Sequence, residues 1–283
     1  MQVDTWVQYL AEFIGTAFLL ILGNGAVANV ELSGTKGSKS GWMTIAIGYG
    51  MGVMIPALMF GNVSGNHINP AFTIALAVGG HFAWANVLPY IVAQLLGALV
   101  GQAIVVMVYR PYYQKTTNPS LLLASFTTIN NAEKTHFGKM VNGFLNEFVG
   151  SFVLFFGALM MTGAYFGADT VEKLKEQYAS AISSGAITAD QVLAGSGGAG
   201  AVAVAHLGVG FLVMVLVASL GGPTGPALNP ARDLMPRLLH YFLPESILGE
   251  HKGTSEFWYG WVPVVAPILA GICAVLLRNA MLG

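Results

Sequence analysis

Long apolar runs separated by short polar connections dominate this chain. Six runs reach the roughly 20 residues that a helix needs to cross a bilayer: Trp6–Asn29, Gly41–Gly61, Ala83–Tyr109, Lys139–Gly163, Ala199–Gly222 and Trp258–Ala280. Among the polar connections, 164–198 holds the charged stretch "DTVEKLKEQYASAIS", expected to form a short surface helix. Two further apolar pieces, Pro70–Gly79 and Pro230–Tyr241, are too short to span, and each begins at an Asn-Pro step. Asparagine is a good helix N-cap, and proline at the first helical position has no N–H to leave unpaired. Each piece therefore predicts a half-length helix. The backbone leading into it must be enclosed in protein or line a watery path, because lipid cannot satisfy it.

The chain also repeats itself. "AEFIGTAFLLILG" from Ala11 is echoed by "NEFVGSFVLFFG" from Asn146, which pairs Glu12 with Glu147, and an Asn-Pro-Ala tripeptide follows the second span of each half. Three spans per half place the two halves, approximately 6–109 and 139–280, in opposite orientations. In such inverted repeats, interrupted helices meet near the membrane midplane. The expected fold is a single all-α membrane domain over 1–283, with six transmembrane helices and two re-entrant half-helices.

Composition supports this reading. Charged residues make up 9% of the chain against 55% hydrophobic ones, where a soluble domain carries about a quarter charged. The net charge of −1 gives no reason to expect a nucleic-acid partner. The lone Cys273 cannot form an internal disulfide and reads as a packing residue. Gly48, Gly50, Gly52 and the pair Gly97 and Gly101 read as close helix contacts. The first run resembles a signal peptide ending at "AVA" (Ala26–Ala28), but no basic residue precedes it and Glu12 interrupts it, so a retained spanning helix is expected. Nothing near the Asn-Pro steps forms a nucleophile–base pair or a metal-ligand cluster, so neither catalysis nor a cofactor is expected.

Together, Asn69-Pro70-Ala71, Asn229-Pro230-Ala231, "AEFIGT", "SGNHINPA" and "NPARD" resemble the aquaporin and glycerol-facilitator family over roughly Trp6 to Arg278. Asp233 after Arg232, with Tyr109, Arg237 and the pair Pro263 and Val264, resembles the glycerol-conducting branch. The resemblance implies an aquaporin-like fold with one pore per subunit in a homotetramer. It implies passive conduction of water, glycerol and other small uncharged solutes across the plasma membrane.

It also assigns roles. The half-helices would meet head to head, so that two positive dipole ends disfavour cations, with Asn69 and Asn229 donating to passing hydroxyls. Arg232, three residues after Asn229, would stand at the narrowest constriction with Tyr49, Val217 and Pro226. Glycerol facilitators typically place tryptophan, glycine and phenylalanine at those last three positions, so a more permissive filter is expected here. The segments Gly65–Ile68 and Gly225–Leu228 should be extended, with the backbone of Gly65, Asn66, His67, Gly225, Ala227 and Leu228 lining the path and Val53 and Leu22 forming its apolar side.

Glu12 and Glu147 could couple transport to protons or could hold the half-helix loops; the resemblance favours the second reading. His67 is expected to fix its loop rather than sense pH, "MGVMIPALM" to pack, and Pro56 to bend the second span, while Asn66 receives no role. Alternatives to glycerol are water alone, urea, dihydroxyacetone or undissociated lactic acid, and a secondary transporter is the alternative class. The family topology puts both termini in the cytoplasm. The lysines and arginines oppose it, with Lys173, Lys175 and Arg278 inside against eight outside or near it.

Overall fold

The computed structural model describes residues 3–166, 176, 178–186, 188 and 198–282. Eight helices carry the architecture: α1 Thr5–Glu31, α2 Trp42–Ser64, α3 Pro70–Val78, α4 Trp84–Tyr113, α5 His136–Phe166, α6 Gly198–Thr224, α7 Pro230–Phe242 and α8 Val262–Leu282. Six are long and apolar enough to cross a membrane, and they match the six expected runs. The exceptions, α3 with 9 residues and α7 with 13, are the two half-helices. At 1.5 Å per residue α3 covers roughly 14 Å, about half of a bilayer core.

One boundary moves. The last span starts at Val262 rather than Trp258, because Trp258–Trp261 form a turn in which Tyr259 is buried and accepts from the Val262 N–H. The surface helix expected over 169–183 is described only at Ala179–Ser183, and its other residues lie largely outside the described ones, as do Lys173 and Lys175.

The two halves pack symmetrically. Within the first, α1 contacts α2 and α4; within the second, α5 contacts α6 and α8. Between halves, α2 packs on α6, the half-helix α3 lies against α8, and α7 lies against α4. Each half-helix is therefore held by the other half's last span. Small residues allow the close approach: a Cβ on Gly97 of α4 would run into the Phe13 carbonyl of α1, and one on Gly50 of α2 would sit 2.9 Å from the Gly210 carbonyl of α6.

Burial is inverted relative to a water-soluble protein. Leu88 and Met107 are 69% and 68% exposed, whereas Glu12, Asn24, Gln94, Gln102, Glu147, Asp233 and Arg237 are fully buried. Apolar side chains face outward towards lipid, and every buried polar group must find its partner inside.

Candidate functional site

Asn69 and Asn229 cap α3 and α7. The Asn69 Oδ1 accepts from the Ala71 N–H at 3.0 Å, and the Asn229 Oδ1 accepts from Ala231 at 3.0 Å and Arg232 at 3.3 Å. Their Nδ2 groups cross between halves: Asn69 donates to the Leu228 carbonyl at 2.8 Å, and Asn229 to the Ile68 carbonyl at 2.7 Å. An amide has two N–H hydrogens. The expectation that these amides serve passing hydroxyls is thus modified, since one hydrogen of each already holds the opposite loop.

The loops before the caps are not simply extended. Gly65 is left-handed at φ +84°, and Asn66, Ile68 and Leu228 also have positive φ, at +48°, +42° and +52°. The reason is hydrogen bonding on both sides of Ile68 and Leu228. Each turns its carbonyl towards the opposite asparagine and its N–H towards a buried glutamate. Glu12 accepts from the N–H groups of His67 at 2.9 Å and Ile68 at 2.6 Å, from Ser64 Oγ at 2.6 Å and from Gln94 Nε2 at 2.8 Å. Glu147 accepts from the N–H groups of Ala227 and Leu228, both at 2.9 Å, and from Thr224 Oγ1 at 3.2 Å. For a β-branched Ile68, φ +42° is rare, and such a conformation persists only where its surroundings over-determine it.

His67 is tied to α3. Thr73 gives its hydroxyl hydrogen to the Asn69 carbonyl at 3.0 Å and accepts from Gln94 Nε2 at 3.0 Å. His67 Nδ1, 3.1 Å from the same oxygen, must then be a donor, which leaves Nε2 as the ring's acceptor. Asn66 turns away to α2. With its amide oriented to satisfy both neighbours, Nδ2 donates to the Pro56 carbonyl at 3.1 Å and Oδ1 accepts from the Ala57 N–H at 3.3 Å.

Two cavities share part of their lining. The larger, about 500 Å³, is walled by Asn69, Asn229, Gly65, Asn66, His67 and Ile68 on one side of the loops and by Pro226, Ala227 and Leu228 on the other. Its apolar wall includes Val53 and Leu19; from α1 it is Leu19, not Leu22, that faces the cavity, one helical turn away. The smaller, about 140 Å³, is lined by Glu31, Trp42, Thr127, Asn131 and Gly221–Gly225 among others. Tyr49, Val217 and Arg232 line both. These three form the neck between the cavities, while Pro226 lies on the larger cavity's side.

Arg232 is only 2% exposed. Its Nη1 donates to the Phe126 carbonyl at 3.2 Å, its Nη2 to the Tyr49 hydroxyl, and its Cζ lies 5.0 Å from the Tyr49 ring centre. The Nε–H has no partner among the described residues. The adjacent Asp233 does not pair with it. One Asp233 oxygen accepts from Arg237 at 2.9 and 2.8 Å, and the other accepts from the N–H and hydroxyl of Thr128 at 2.8 and 2.7 Å. Among the described residues Arg232 makes no ion pair, and the nearby Asp233 acts on it only at a distance. Sequence reasoning weighed the acids and the arginine but passed over the buried amides Asn24, Gln94 and Gln102. Their signal was present, since each is a polar residue inside an otherwise apolar run.

The chain matches the family described as Major intrinsic protein over residues 1–175 and 182–278. It is 57% identical over 285 residues to the glycerol facilitator-aquaporin of Lactococcus lactis subsp. cremoris, covering 98% of both chains. Against glycerol uptake facilitator protein-like 5 of Lactiplantibacillus plantarum it is 42% identical, covering 98% of this chain and 97% of that one. The solved aquaglyceroporin of Plasmodium falciparum is similar with a TM-score of 0.72 at 25% identity, over 98% of this chain and 96% of that one.

Proposed function

Because this chain belongs to the major intrinsic protein family, we propose that it is a passive membrane channel for glycerol, water and other small neutral solutes. The observation that carries this reading is the neck: two cavities share Tyr49, Val217 and Arg232 in their linings, and the guanidinium there has no ion pair among the described residues. A neutral hydroxyl can accept from that group, whereas a cation is repelled by it and by the half-helix N-termini. Asn69 and Asn229 each keep one amide hydrogen for the permeant. The selectivity filter is Tyr49, Val217, Pro226 and Arg232, with Asp233 held as structural support.

Glu12 and Glu147 support passive conduction over ion coupling. Their oxygens are occupied by backbone and side-chain donors that shape the half-helix loops. The whole chain, 1–283, acts as one channel unit built from repeats of about 6–109 and 139–280. It is a multi-pass protein of the plasma membrane with cytoplasmic termini, assembles as a homotetramer, and has no enzymatic activity. Stopped-flow light scattering on proteoliposomes with a solute panel tests the reading. Glycerol and water should equilibrate faster than through empty vesicles and without an ion gradient, and failure of every solute to do so would refute it.

A further inference from the structure

The filter arginine is held by two protein acceptors, the Tyr49 hydroxyl and the Phe126 carbonyl. Both are in turn bound by a single side chain on α1. Asn24 Nδ2 donates to the Phe126 carbonyl at 2.9 Å, and the Tyr49 hydroxyl donates to Asn24 Oδ1. Arg232, Phe126, Asn24 and Tyr49 thus close a ring of four hydrogen bonds. Asn24 is fully buried and stands behind the filter, outside both cavity linings.

The ring fixes where its protons lie. The Phe126 carbonyl can only accept, so the Asn24 atom facing it must be the amide nitrogen. The same nitrogen gives a hydrogen to Gln102 Oε1 at 2.6 Å, which uses both. Asn24 Oδ1 therefore faces Tyr49 and takes the phenolic hydrogen, which leaves Tyr49 with lone pairs alone for Arg232. The Phe126 carbonyl accepts from Arg232 and from Asn24, so both of its lone pairs are used as well. Gly23 completes the seat, because a Cβ there would run into the Tyr49 ring.

We propose that Asn24 is the positioning residue of the selectivity neck: its one amide holds both protein acceptors of the Arg232 guanidinium and so sets how far that charge reaches into the lumen. The inference rests on the channel reading above. With the ring closed, Arg232 is pinned towards the wall at two nitrogens, and Tyr49 offers a passing solute no hydroxyl hydrogen. With the ring opened, the guanidinium is free to change rotamer and the neck loses its fixed width.

The test compares wild type with Asn24→Leu, Tyr49→Phe, the double variant and Gln102→Leu in proteoliposomes of matched protein content, read as the erythritol-to-glycerol permeability ratio. Asn24→Leu and Tyr49→Phe should each raise the ratio about fivefold, which is what one net hydrogen bond is worth in a barrier. The double variant should match the singles, because both changes open one ring. Gln102→Leu leaves the four ring bonds in place and frees only the second Asn24 amide hydrogen, so it should shift the ratio less than Asn24→Leu does. If the leucine variant does not reconstitute, Asn24→Ala takes its place. The proposal is overturned if the Asn24 variant keeps the wild-type ratio while Tyr49→Phe shifts it. Effects that multiply in the double variant, or an equal shift in Gln102→Leu, would overturn it too. A wild type no faster than empty vesicles is a different result, since it removes the channel reading itself.

Discussion

The side-chain amide of Asn229 donates to the backbone carbonyl of Ile68 at 2.7 Å, tying the start of one half-helix to the loop that begins the other. Asn69 makes the reciprocal bond to Leu228. The two bonds hold the loops, and on the channel reading proposed above the remaining hydrogen of each amide serves the permeant. Asn229→Ala removes the cap on α7 and leaves the Ile68 carbonyl buried without its donor, a loss of about 1–3 kcal/mol. Asn229→Asp keeps the capping oxygen but has no amide hydrogen. Thermal melting in detergent should therefore rank wild type above Asn229→Asp and Asn229→Ala, and stopped-flow glycerol flux should fall in both variants.

Arg232→Ala should change selectivity far more than stability. The Phe126 carbonyl keeps its bond from Asn24, and the Tyr49 hydroxyl keeps its acceptor, so no partner is stranded. What disappears is a charged side chain from the lining that the two cavities share, and with it the barrier that the proposed filter would set. Erythritol flux should rise and sodium should leak, both measurable in the same vesicles, while the melting temperature stays near that of wild type. Unchanged solute and ion selectivity would remove Arg232 from the filter.

The parts of this site that were legible in the sequence are those governed by local chemistry. An asparagine followed by proline is a helix start wherever it occurs, so α3 and α7 could be placed to within a residue or two. Glu12 and Glu147 stood out because a carboxylate inside an apolar run needs donors, and the repeat supplied the pair. The left-handed φ of Ile68 and Leu228 was not legible, because it is imposed by bonds to a glutamate 56 or 81 positions away and to the opposite asparagine about 160 positions away. Asn24 was missed for a related reason. On its own it is one amide on a helix, and its meaning appears only when Tyr49, Gln102 and Phe126 are brought around it. The turn at Trp258–Trp261 misled in the other direction, since its aromatic residues continue the apolar pattern although the helix has not begun.

Asn66 illustrates a local rule with a tertiary purpose. Its φ of +48° suits asparagine better than most residues, and its amide binds α2 beside Pro56. Asn66→Ala should lose both the conformational tolerance and the clamp, lowering stability by about 1–2 kcal/mol. Asn66→Gly restores the backbone freedom alone. Its melting temperature should lie between those of wild type and Asn66→Ala; a value at or below Asn66→Ala would show that the backbone conformation is not what asparagine supplies.

Pro226 lines the larger cavity on the half-helix side of the neck. Pro226→Phe adds an aromatic wall there and should lower erythritol flux more than glycerol flux. It should be made without Tyr49→Trp, because an indole has no hydroxyl to give Asn24 and the ring behind the filter would open. Permeability ratios in proteoliposomes check this. An equal fall for both polyols would mean that the added ring blocks the path without shaping it.

The width of the neck should also be adjustable from behind. Gly23 lies under the Tyr49 ring, and a methyl group there would overlap ring carbons. The tyrosine hydroxyl is anchored to Asn24, one residue along the same helix, so the ring cannot retreat without giving up that bond. Gly23→Ala should therefore tilt the ring towards the lumen and narrow the passage between Tyr49, Val217 and Arg232. Water passes a narrower gap more readily than a three-carbon polyol, so the glycerol-to-water permeability ratio should fall about tenfold for an added barrier of ~1.4 kcal/mol. Combining the change with Tyr49→Phe releases the ring from its anchor and should recover part of the glycerol flux. If Gly23→Ala lowers water and glycerol flux equally, and Tyr49→Phe recovers neither, the ring does not set the width of the neck.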